Sequence, residues 1–432
     1  MSDFANQLSV AETRSQVERE KEQFAALPQQ IAHAQKNSIA FADILRGVDA
    51  STVCNRQALA QLPVTRKTEL LERQQSTRKA ATNGNGGQSA LADVVFGGFN
   101  ALPFGAGVRR VFASPGTIYE PEGASVDYWR MARALSAAGF KAGELIHNSY
   151  SYHFTPAGSM METGAHALGC TVFPAGTGQT EQQVQAMAEL MPAGYVGTPS
   201  FLKIILDKAQ EMGVALPSLT KAMVSGEACP PSLRDWFAEH GIDAFQCYAT
   251  ADLGLIAYET SAREGLVVDE GVIVEIVRPG TGDPVPEGEV GELVVTSLNP
   301  VYPLIRFGTG DLSAVLPGAC PTGRTNTRIK GWMGRADQTT KIRGMFVHPG
   351  QVNTIAKRFP EVLKARLVVS GEMANDVMTL RVESAKASAD DVIAKISDAI
   401  RDVTKLRGSV EWLAPGSLPN DGRVIEDARS YK

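Results

Sequence analysis

The feature that most restricts the fold of this 432-residue chain is an alternation of short apolar runs with helical patterns between Val108 and Gln246. The segments between the runs carry apolar residues at the spacing of an amphipathic helix. Strands that alternate with helices form βαβ units, so this region predicts a largely parallel sheet with ligands at the carboxyl ends of its strands. The predicted strands are Val111–Ala113, Glu144–His147, Thr171–Phe173, Tyr195–Gly197, Ala222–Val224 and Ala244–Cys247.

The pattern changes twice towards the carboxyl terminus. Gly265–Leu298 alternates apolar and polar residues around a Gly/Pro/Asp-rich turn, which predicts an antiparallel meander. After Arg335 the predicted order is strand (Gln338–Ile342), helix, strand, strand, helix, strand, which is a ferredoxin-like βαββαβ module. The predicted fold class is therefore α/β. Residues 1–334 form a large domain with mostly parallel sheets and a β-meander, and residues 335–432 form a small, mobile α+β lid with Asp337 at the hinge.

Composition excludes several functional classes. The formal net charge is −5, so no basic surface favours nucleic acid or an anionic membrane. The five cysteines are scattered without a C-x-x-C pair, which is typical of thiols in a reducing compartment. No apolar run has the length of a membrane span. These observations predict a cytoplasmic protein without nucleic-acid or membrane partners.

The first candidate site is the turn Ser114-Pro115-Gly116-Thr117, which follows a predicted strand. Its hydroxyls and open backbone amides can bind phosphate oxygens. An ordinary Ser-Pro-Gly turn is the alternative. Two further loops, Ser225-Gly226-Glu227 and Tyr248-Ala249-Thr250-Ala251-Asp252, follow strands of the predicted parallel sheet, at the edge where nucleotides bind.

Two carboxylates and an aromatic segment suggest specific roles. Asp252 can hold Mg²⁺ through one carboxylate and phosphate oxygens, and Tyr248 can stack on a base; the alternative is that these polar groups only satisfy strand ends. Asp311 lies in a predicted glycine turn. Its carboxylate can accept hydrogen bonds from two adjacent ribose hydroxyls; the alternative is that it bonds only to its own backbone. The aromatic segment suits a flat apolar substrate with one polar head, although such residues can also be structural. It is Asn148–Phe154, with the side chains of Tyr150, Tyr152, His153 and Phe154.

Taken in this order, the motifs resemble the adenylate-forming superfamily of acyl-CoA synthetases, and most closely the phenylacetate-CoA ligase family. The resemblance runs from about Leu62 to Pro419 and is strongest at Asp311 and at Arg335–Gly344. It implies that an acid attacks ATP to give an acyl-adenylate, and that the small domain then rotates so that CoA displaces AMP. The implied ligands are ATP, Mg²⁺, CoA and a small aromatic (aryl or arylacetic) acid, and the resemblance is compatible with a homodimer.

The resemblance also assigns residues. In the large domain it places phosphate-loop residues at Ser114, Gly116 and Thr117, the adenine-side loop at Ser225, Gly226 and Glu227, the adenylate motif at Tyr248, Ala249, Thr250 and Asp252, the ribose-binding carboxylate at Asp311, and the acyl pocket at Tyr152, His153 and Phe154. In the small domain it places Arg335 beside the phosphates and Asp337 at the hinge.

The chain departs from the family at three points. Glu120 stands where the phosphate loop has its lysine, and Tyr119 replaces a loop glycine. The usual glutamate of the adenylate motif is Asp252. The family's lysine after Leu-Pro is absent, and Arg423 or Lys432 can take its place. These departures keep a second interpretation open, either a catalytically weak nucleotide- or acyl-binding protein or an adenylating enzyme that serves a carrier protein.

Overall fold

The computed structural model describes residues 10–83, 90–105, 107–333, 335–336, 340–343, 345–347, 349–371, 375–387, 389–419 and 423–429. The chain divides into two compact units, Met1–Gly334 and Arg335–Lys432. The helices of the large unit are α1 (Gln16–Asn37), α2 (Ile39–Ile44), α3 (Arg56–Ala60), α4 (Lys67–Thr82), α5 (Leu91–Phe96), α6 (Met131–Ala137), α7 (Ala157–Leu168), α8 (Thr180–Leu190), α9 (Pro199–Glu211) and α10 (Pro231–Glu239).

The strands of the large unit form a nine-stranded sheet, a four-stranded sheet and a two-stranded hairpin. They are β1 (Thr65–Arg66), β2 (Val108–Ser114), β3 (Ile118–Gly123), β4 (Leu145–Asn148), β5 (Thr171–Pro174), β6 (Gly194–Gly197), β7 (Lys221–Val224), β8 (Asp243–Thr250), β9 (Gly254–Tyr258), β10 (Leu266–Val268), β11 (Val272–Val277), β12 (Gly291–Ser297), β13 (Phe307–Ser313), β14 (Val315–Leu316) and β15 (Arg328–Ile329).

The nine-stranded sheet contains the predicted parallel strands. Strands β5, β4, β6, β7 and β8 lie side by side in parallel, and helices α7 to α10 connect them in turn. Strands β9, β10, β15 and β14 extend the sheet in antiparallel fashion. The predicted α/β fold is confirmed. The first predicted strand, Val111–Ala113, lies within β2, which instead pairs with β3 in the separate hairpin.

The predicted meander forms most of the four-stranded sheet. Strands β11, β12 and β13 pair in antiparallel order, and β1 adds a parallel edge beside β13. Nearly every residue of β11 and β12 is buried, because both faces of these strands are covered. The first part of the predicted meander, β10, joins the nine-stranded sheet instead.

The small unit contains the helices α11 (Pro349–Lys357) and α12 (Asp390–Thr404) and the strands β16 (Thr340–Ile342), β17 (Met345–Val347), β18 (Lys364–Ser370), β19 (Val377–Glu383), β20 (Ser409–Leu413) and β21 (Ile425–Asp427). Its four-stranded sheet has the order β20-β19-β18-β21. Apolar residues of both helices, including Ile355, Ile396 and Ile400, pack with sheet residues such as Leu380 in one core.

One strand of the small unit pairs differently from the prediction. The described part of the strand predicted at Gln338–Ile342 is β16, which pairs only with β17 in a two-stranded sheet. The edge beside β18 is taken by β21, whose buried Ile425 lies opposite Leu367. In the described part of the chain, no helix is both long and apolar enough to cross a membrane.

Candidate active site

The carboxyl ends of the parallel strands bring the predicted nucleotide loops together. After β7, the Ser225 amide donates to the Gly197 carbonyl at the end of β6 (3.3 Å), and the Ser225 hydroxyl donates to the Cys247 carbonyl in β8 (2.7 Å). After β4, the Ser149 amide donates to the Val196 carbonyl (2.9 Å). The loops that follow β4, β6, β7 and β8 therefore share one edge of the sheet.

Glu227 fastens its loop to the start of helix α9. One oxygen of its carboxylate accepts a hydrogen bond from the Ser200 amide at 2.7 Å, in the first turn of the helix. A carboxylate is stabilised there by the positive end of the helix dipole. Gly226 has a φ of +85°, a backbone conformation that favours glycine. The predicted adenine-side loop thus has a fixed backbone.

Asp311 and Tyr248, both predicted to bind the nucleoside, are in direct contact. The Tyr248 hydroxyl donates to Asp311 Oδ2 at 2.6 Å. A donor that the sequence did not reveal, the indole N–H of Trp332, reaches Asp311 Oδ1 at 3.0 Å. Asp311 lies within strand β13 and not in the predicted turn, and its amide donates to the Thr309 hydroxyl (3.1 Å), which also fixes this part of the strand locally. Each carboxylate oxygen has two lone pairs, so each can accept more than one hydrogen bond.

The predicted phosphate loop is the turn of the β2–β3 hairpin, where Ser114 lies opposite Ile118. Gly116 and Thr117 both have positive φ, +100° and +61°. The nearest atom to a Cβ added at Gly116 is a methyl group of Leu71 at 3.8 Å, so the turn is open on this side. The Ser114 hydroxyl is buried and donates to Glu120 Oε1 at 2.5 Å. The backbone of this turn is thus more accessible than its serine hydroxyl.

Glu120, the residue in place of the family's lysine, turns into the protein. It has no exposed surface. Burial, reinforced by the charge of Asp252 and opposed by Lys67 and by the hydrogen bond from Ser114, raises the pKa of Glu120 from 4.5 to about 8. Its charge is therefore suppressed at neutral pH, and its side chain does not project from the turn.

The cation of this region is Lys67, the first residue of α4, which sequence reasoning missed. Its Nζ donates to Asp252 Oδ2 at 2.9 Å; the Asp252 side chain is 2% exposed and that of Lys67 is 37% exposed. Lys67 is the last residue of the segment Leu62–Lys67, where the family resemblance begins. Its position in that segment was the sequence signal that could have identified it. The other oxygen, Asp252 Oδ1, is buried and has no hydrogen-bond partner among the described residues.

An unpartnered carboxylate oxygen fits a Mg²⁺ ion that takes its other ligands from phosphate and water. The described residues contain no cluster of three or more potential metal ligands of the His, Cys, Asp or Glu type. Asp252 is therefore suited to a metal that arrives with a phosphorylated substrate.

Helix α4 continues along the hairpin and adds a second cation. The Gln74 side chain exchanges two 2.8 Å hydrogen bonds with the backbone of Tyr119. One turn further, Arg78 donates to the Thr117 carbonyl (3.4 Å), and its guanidinium lies 5.1 Å from the centre of the Tyr119 ring. Tyr119, the residue in place of a loop glycine, is thus the platform for this arginine.

The predicted acyl segment divides into two parts. The Tyr152 hydroxyl accepts a 2.8 Å hydrogen bond from Asn148 at the end of β4, and its ring leaves no room for a Cβ at Gly158. His153 is exposed, and Phe154 is 80% exposed with a φ of +62°. Within the large unit, Tyr152 alone of these three turns back towards the sheet edge.

The remaining predicted residues belong to the small unit. Arg335 is partly buried. Arg423 is exposed and lies two residues before β21, where the Leu367 amide donates to the Val424 carbonyl (2.9 Å) and anchors the segment. Asp337 lies outside the described residues.

Comparison with known proteins defines the class. Residues 127–300 match the family model "AMP-binding enzyme", and residues 344–427 match "AMP-binding enzyme C-terminal domain". The fold is similar to a crystal structure of 2-hydroxyisobutyryl-CoA ligase in complex with 2-HIB-AMP and CoA. The TM-score is 0.81 at 24% identity, with 98% of this chain and 92% of that chain covered. The molecule is thus an AMP-binding enzyme of the adenylate-forming fold.

Curated relatives identify the family. The phenylacetate-coenzyme A ligase of Thermus thermophilus is 32% identical over 72% of this chain and 78% of its own length. The phenylacetate-coenzyme A ligase of Escherichia coli is 31% identical over 72% of this chain and 76% of its own length. The chain belongs to the phenylacetate-CoA ligase family and is an AMP-forming acid–CoA ligase. The predicted family and enzyme class are confirmed.

Proposed function

We propose that this enzyme activates an aromatic (aryl or arylacetic) carboxylic acid through an acyl-adenylate. A carboxylate oxygen of the acid attacks the α-phosphorus of ATP, and the bond to the pyrophosphate leaving group breaks. The thiolate of CoA then attacks the acyl carbon, and AMP leaves as the carbon–oxygen bond breaks. The observation that carries the proposal is the Asp311 carboxylate, held by Tyr248 at the strand-end loops of a phenylacetate-CoA ligase relative.

In this proposal the large unit binds the nucleoside. Asp311 accepts hydrogen bonds from the ribose hydroxyls, and the partly exposed Tyr248 ring stacks on the base. The adenine also meets Ser225, Gly226 and Glu227 of the loop after β7, and Ala249 and Thr250 at the end of β8.

The phosphates lie against the open turn of the hairpin. Backbone amides of the turn at Ser114, Gly116 and Thr117 donate to phosphate oxygens, since positive-φ turns point successive amides in one direction. Asp252 holds Mg²⁺, which when bound neutralises phosphate charge. Lys67 pairs with the Asp252 carboxylate and orients it, and Arg78 adds positive charge beside Thr117.

We assign roles in the reaction to three residues of the small unit. Arg335 contacts phosphate, Asp337 is the pivot between the half-reactions, and Arg423 takes the part of the family's C-terminal lysine, with Lys432 as the alternative. The support for Arg423 is that it is an exposed cation directly before a strand that holds the backbone in place.

The aromatic nature of the acid rests on two supports. The relatives in the family are named for phenylacetate. In addition, the Tyr152 ring, with the neighbouring His153 and Phe154, follows β4 at the sheet edge of the proposed nucleotide site. A tyrosine ring beside a strand end offers a flat apolar surface and one polar atom.

Glu120 favours a second candidate. Losing one preorganised charge donor costs roughly 10²–10³ in rate, and the loop of this chain has lost its own lysine. An enzyme of this kind adenylates slowly, or it hands the acyl group to a carrier protein in place of CoA.

The test is pyrophosphate release from Mg·ATP with a panel of aromatic and short aliphatic acids, with and without CoA. Release that requires one aromatic acid, with AMP and thioester formed in step, is the expected result. Acid-dependent release without thioester would instead support the carrier-protein alternative. A preference for aliphatic acids would contradict the aromatic assignment. If no acid caused pyrophosphate release although ATP still bound, the proposed ligase activity would be contradicted.

A further inference from the structure

The chain segment 330–333 is hydrogen-bonded to the end of strand β13 and to Ala314, the residue that follows this strand. The Lys330 amide donates to the Ala314 carbonyl, and the Met333 amide donates to the Leu312 carbonyl, both at 2.9 Å. Between them, the Ser313 hydroxyl donates to the Gly331 carbonyl at 2.7 Å. The backbone on both sides of Trp332 is therefore fixed relative to the strand that carries Asp311.

The Trp332 side chain has a hydrogen-bonded indole N–H and a substantially exposed surface. Its indole N–H donates to Asp311 Oδ1, yet 42% of the residue is exposed. Tyr248 donates to the other oxygen, Oδ2, from the end of β8. The two oxygens of one carboxylate thus have different donors, which come from separate elements.

This arrangement matters because a carboxylate turns easily about its last bond, where the torsional minima are broad. A single donor orients one oxygen and leaves the plane of the group free to swing. A second donor on the other oxygen fixes that plane, so that each oxygen faces one direction. Two adjacent hydroxyls of a ribose then meet an acceptor whose orientation is already set, which reduces the ordering that binding requires.

We propose that Trp332 is a nucleotide-positioning residue: it fixes the plane of the Asp311 carboxylate for the ribose, and its exposed ring face packs against the nucleoside. The inference rests on the proposed function, because it takes Asp311 to be the ribose acceptor. It goes further in assigning the two ribose hydroxyls to separate oxygens, one supported by Trp332 and the other by Tyr248.

The experiment compares Trp332→Phe with Tyr248→Phe, since each removes one donor and keeps a ring. Acid-dependent pyrophosphate release is measured with ATP, 2′-deoxy-ATP and 3′-deoxy-ATP. We expect Trp332→Phe to raise the KM for ATP about tenfold, the usual scale for a hydrogen bond to a charged group, with kcat within about twofold. Discrimination against one deoxy analogue should collapse in Trp332→Phe, and discrimination against the other in Tyr248→Phe.

The matched control is Trp412→Phe, which also loses an indole hydrogen bond (Nε1 to the Lys386 carbonyl, 2.9 Å), but within the small unit. It should leave the ranking of the three nucleotides unchanged. Thermal unfolding of all three variants identifies any general loss of stability.

The outcomes separate this inference from the proposed function. If the wild type turns over but Trp332→Phe leaves every KM unchanged, or raises all three equally, the positioning role is wrong and the ligase reaction stands. If no acid supports release, the same comparison is made by calorimetry with the three nucleotides. Analogue-selective loss of binding then supports the role of Trp332, and unselective loss or no binding overturns it.

Discussion

The two polar regions of the proposed nucleotide site are built in different ways. Around Asp311, the carboxylate is held by uncharged donors, the Tyr248 hydroxyl and the Trp332 indole. At the hairpin, Asp252 is held by the ammonium group of Lys67, and the neighbouring Glu120 is buried and bonded to Ser114. One region orients a carboxylate with uncharged donors, and the other pairs a buried carboxylate with a partly exposed ammonium group.

This contrast shows at which positions a departure from the family motif changes the site. Glu120 removes the positive charge from the phosphate loop itself, but helix α4 brings Lys67 and Arg78 to the same hairpin. The electrostatic potential at a site is the sum over all nearby charges, so a cation from a distant part of the sequence can replace a lysine of the loop. The Asp311 carboxylate cannot be replaced from elsewhere in this way, because the ribose hydroxyls need a hydrogen-bond acceptor at one defined position.

The strongest test of the comparison is Asp311→Ala. We expect ATP affinity to fall at least about a hundredfold, since the ribose hydroxyls lose a charged acceptor and the donors of Tyr248 and Trp332 lose their partner. Calorimetry with ATP measures the effect. The matched control is Asp207→Ala, which removes an exposed aspartate of α9 that pairs with Lys203. Tight ATP binding by Asp311→Ala would refute the ribose assignment.

The second test is Lys67→Met. We expect kcat/KM for ATP to fall about a hundredfold, because Asp252 loses its counter-ion beside the phosphates. The free energy of unfolding should fall by about 1–3 kcal/mol, less than for a fully buried pair because 37% of the Lys67 side chain is exposed. Steady-state kinetics and urea unfolding provide the measurements. Lys79→Met, on the exposed face of the same helix, should change neither, and equal effects of the two variants would argue against a special role for Lys67.

The third test uses pH and Glu120→Gln. The unfolded chain ionises Glu120 near 4.5, whereas the folded protein does so at about 8, so the folded state holds more protons between these values. The contribution of Glu120 to stability is therefore lost progressively as the pH rises from about 4.5 to about 8. The glutamine variant lacks this loss, and we expect its Tm to exceed that of the wild type by about 2–6 °C near pH 8.

The diagnostic is how that difference changes with pH. It should grow between about pH 5 and about pH 8 and stay constant above. Glu72→Gln, an exposed glutamate of α4, is the control and should show no such trend. A Tm difference that is independent of pH would mean that Glu120 remains ionised when buried.

The smallest expected effect comes from Arg78→Ala. The arginine makes a long hydrogen bond of 3.4 Å to the Thr117 carbonyl and lies over the Tyr119 ring. Because it is partly exposed, its charge is screened by solvent, and we expect the KM for ATP to rise only about two- to fivefold, more at low salt than at high salt. Kinetics at two salt concentrations, with Lys79→Ala as the control, measure this. No salt dependence would remove Arg78 from the phosphate site.

Local patterns in the sequence were enough to predict the parallel strands and the helices between them. The parallel strands were predicted because each is a short apolar run followed by a helical pattern, and that pattern depends only on neighbouring residues. Tyr248 was selected because it follows a predicted strand of the parallel sheet, and Asp311 because it is a carboxylate in a glycine-rich segment that resembles the family motif. The contact between them joins residues 63 positions apart, and the sequence did not predict it.

The contacts that the sequence did not predict are non-local. Lys67 and Asp252 are 185 residues apart, and their pairing depends on how helix α4 packs on the hairpin. The inward orientation of Glu120 depends on the same packing. The edge strand β21 was missed because a three-residue segment has too little periodicity to be recognised, and its place beside β18 depends on the register of the whole sheet.

The bonds that hold residues 330–333 to strand β13 have a mechanical consequence. They fix the backbone of the large unit up to Met333. A rotation of the small unit would therefore require changes in backbone torsion angles after Met333. The last of these bonds ends on the strand that carries Asp311. A nucleotide bound by Asp311 would therefore contact the same strand that holds the chain segment leading to the small unit.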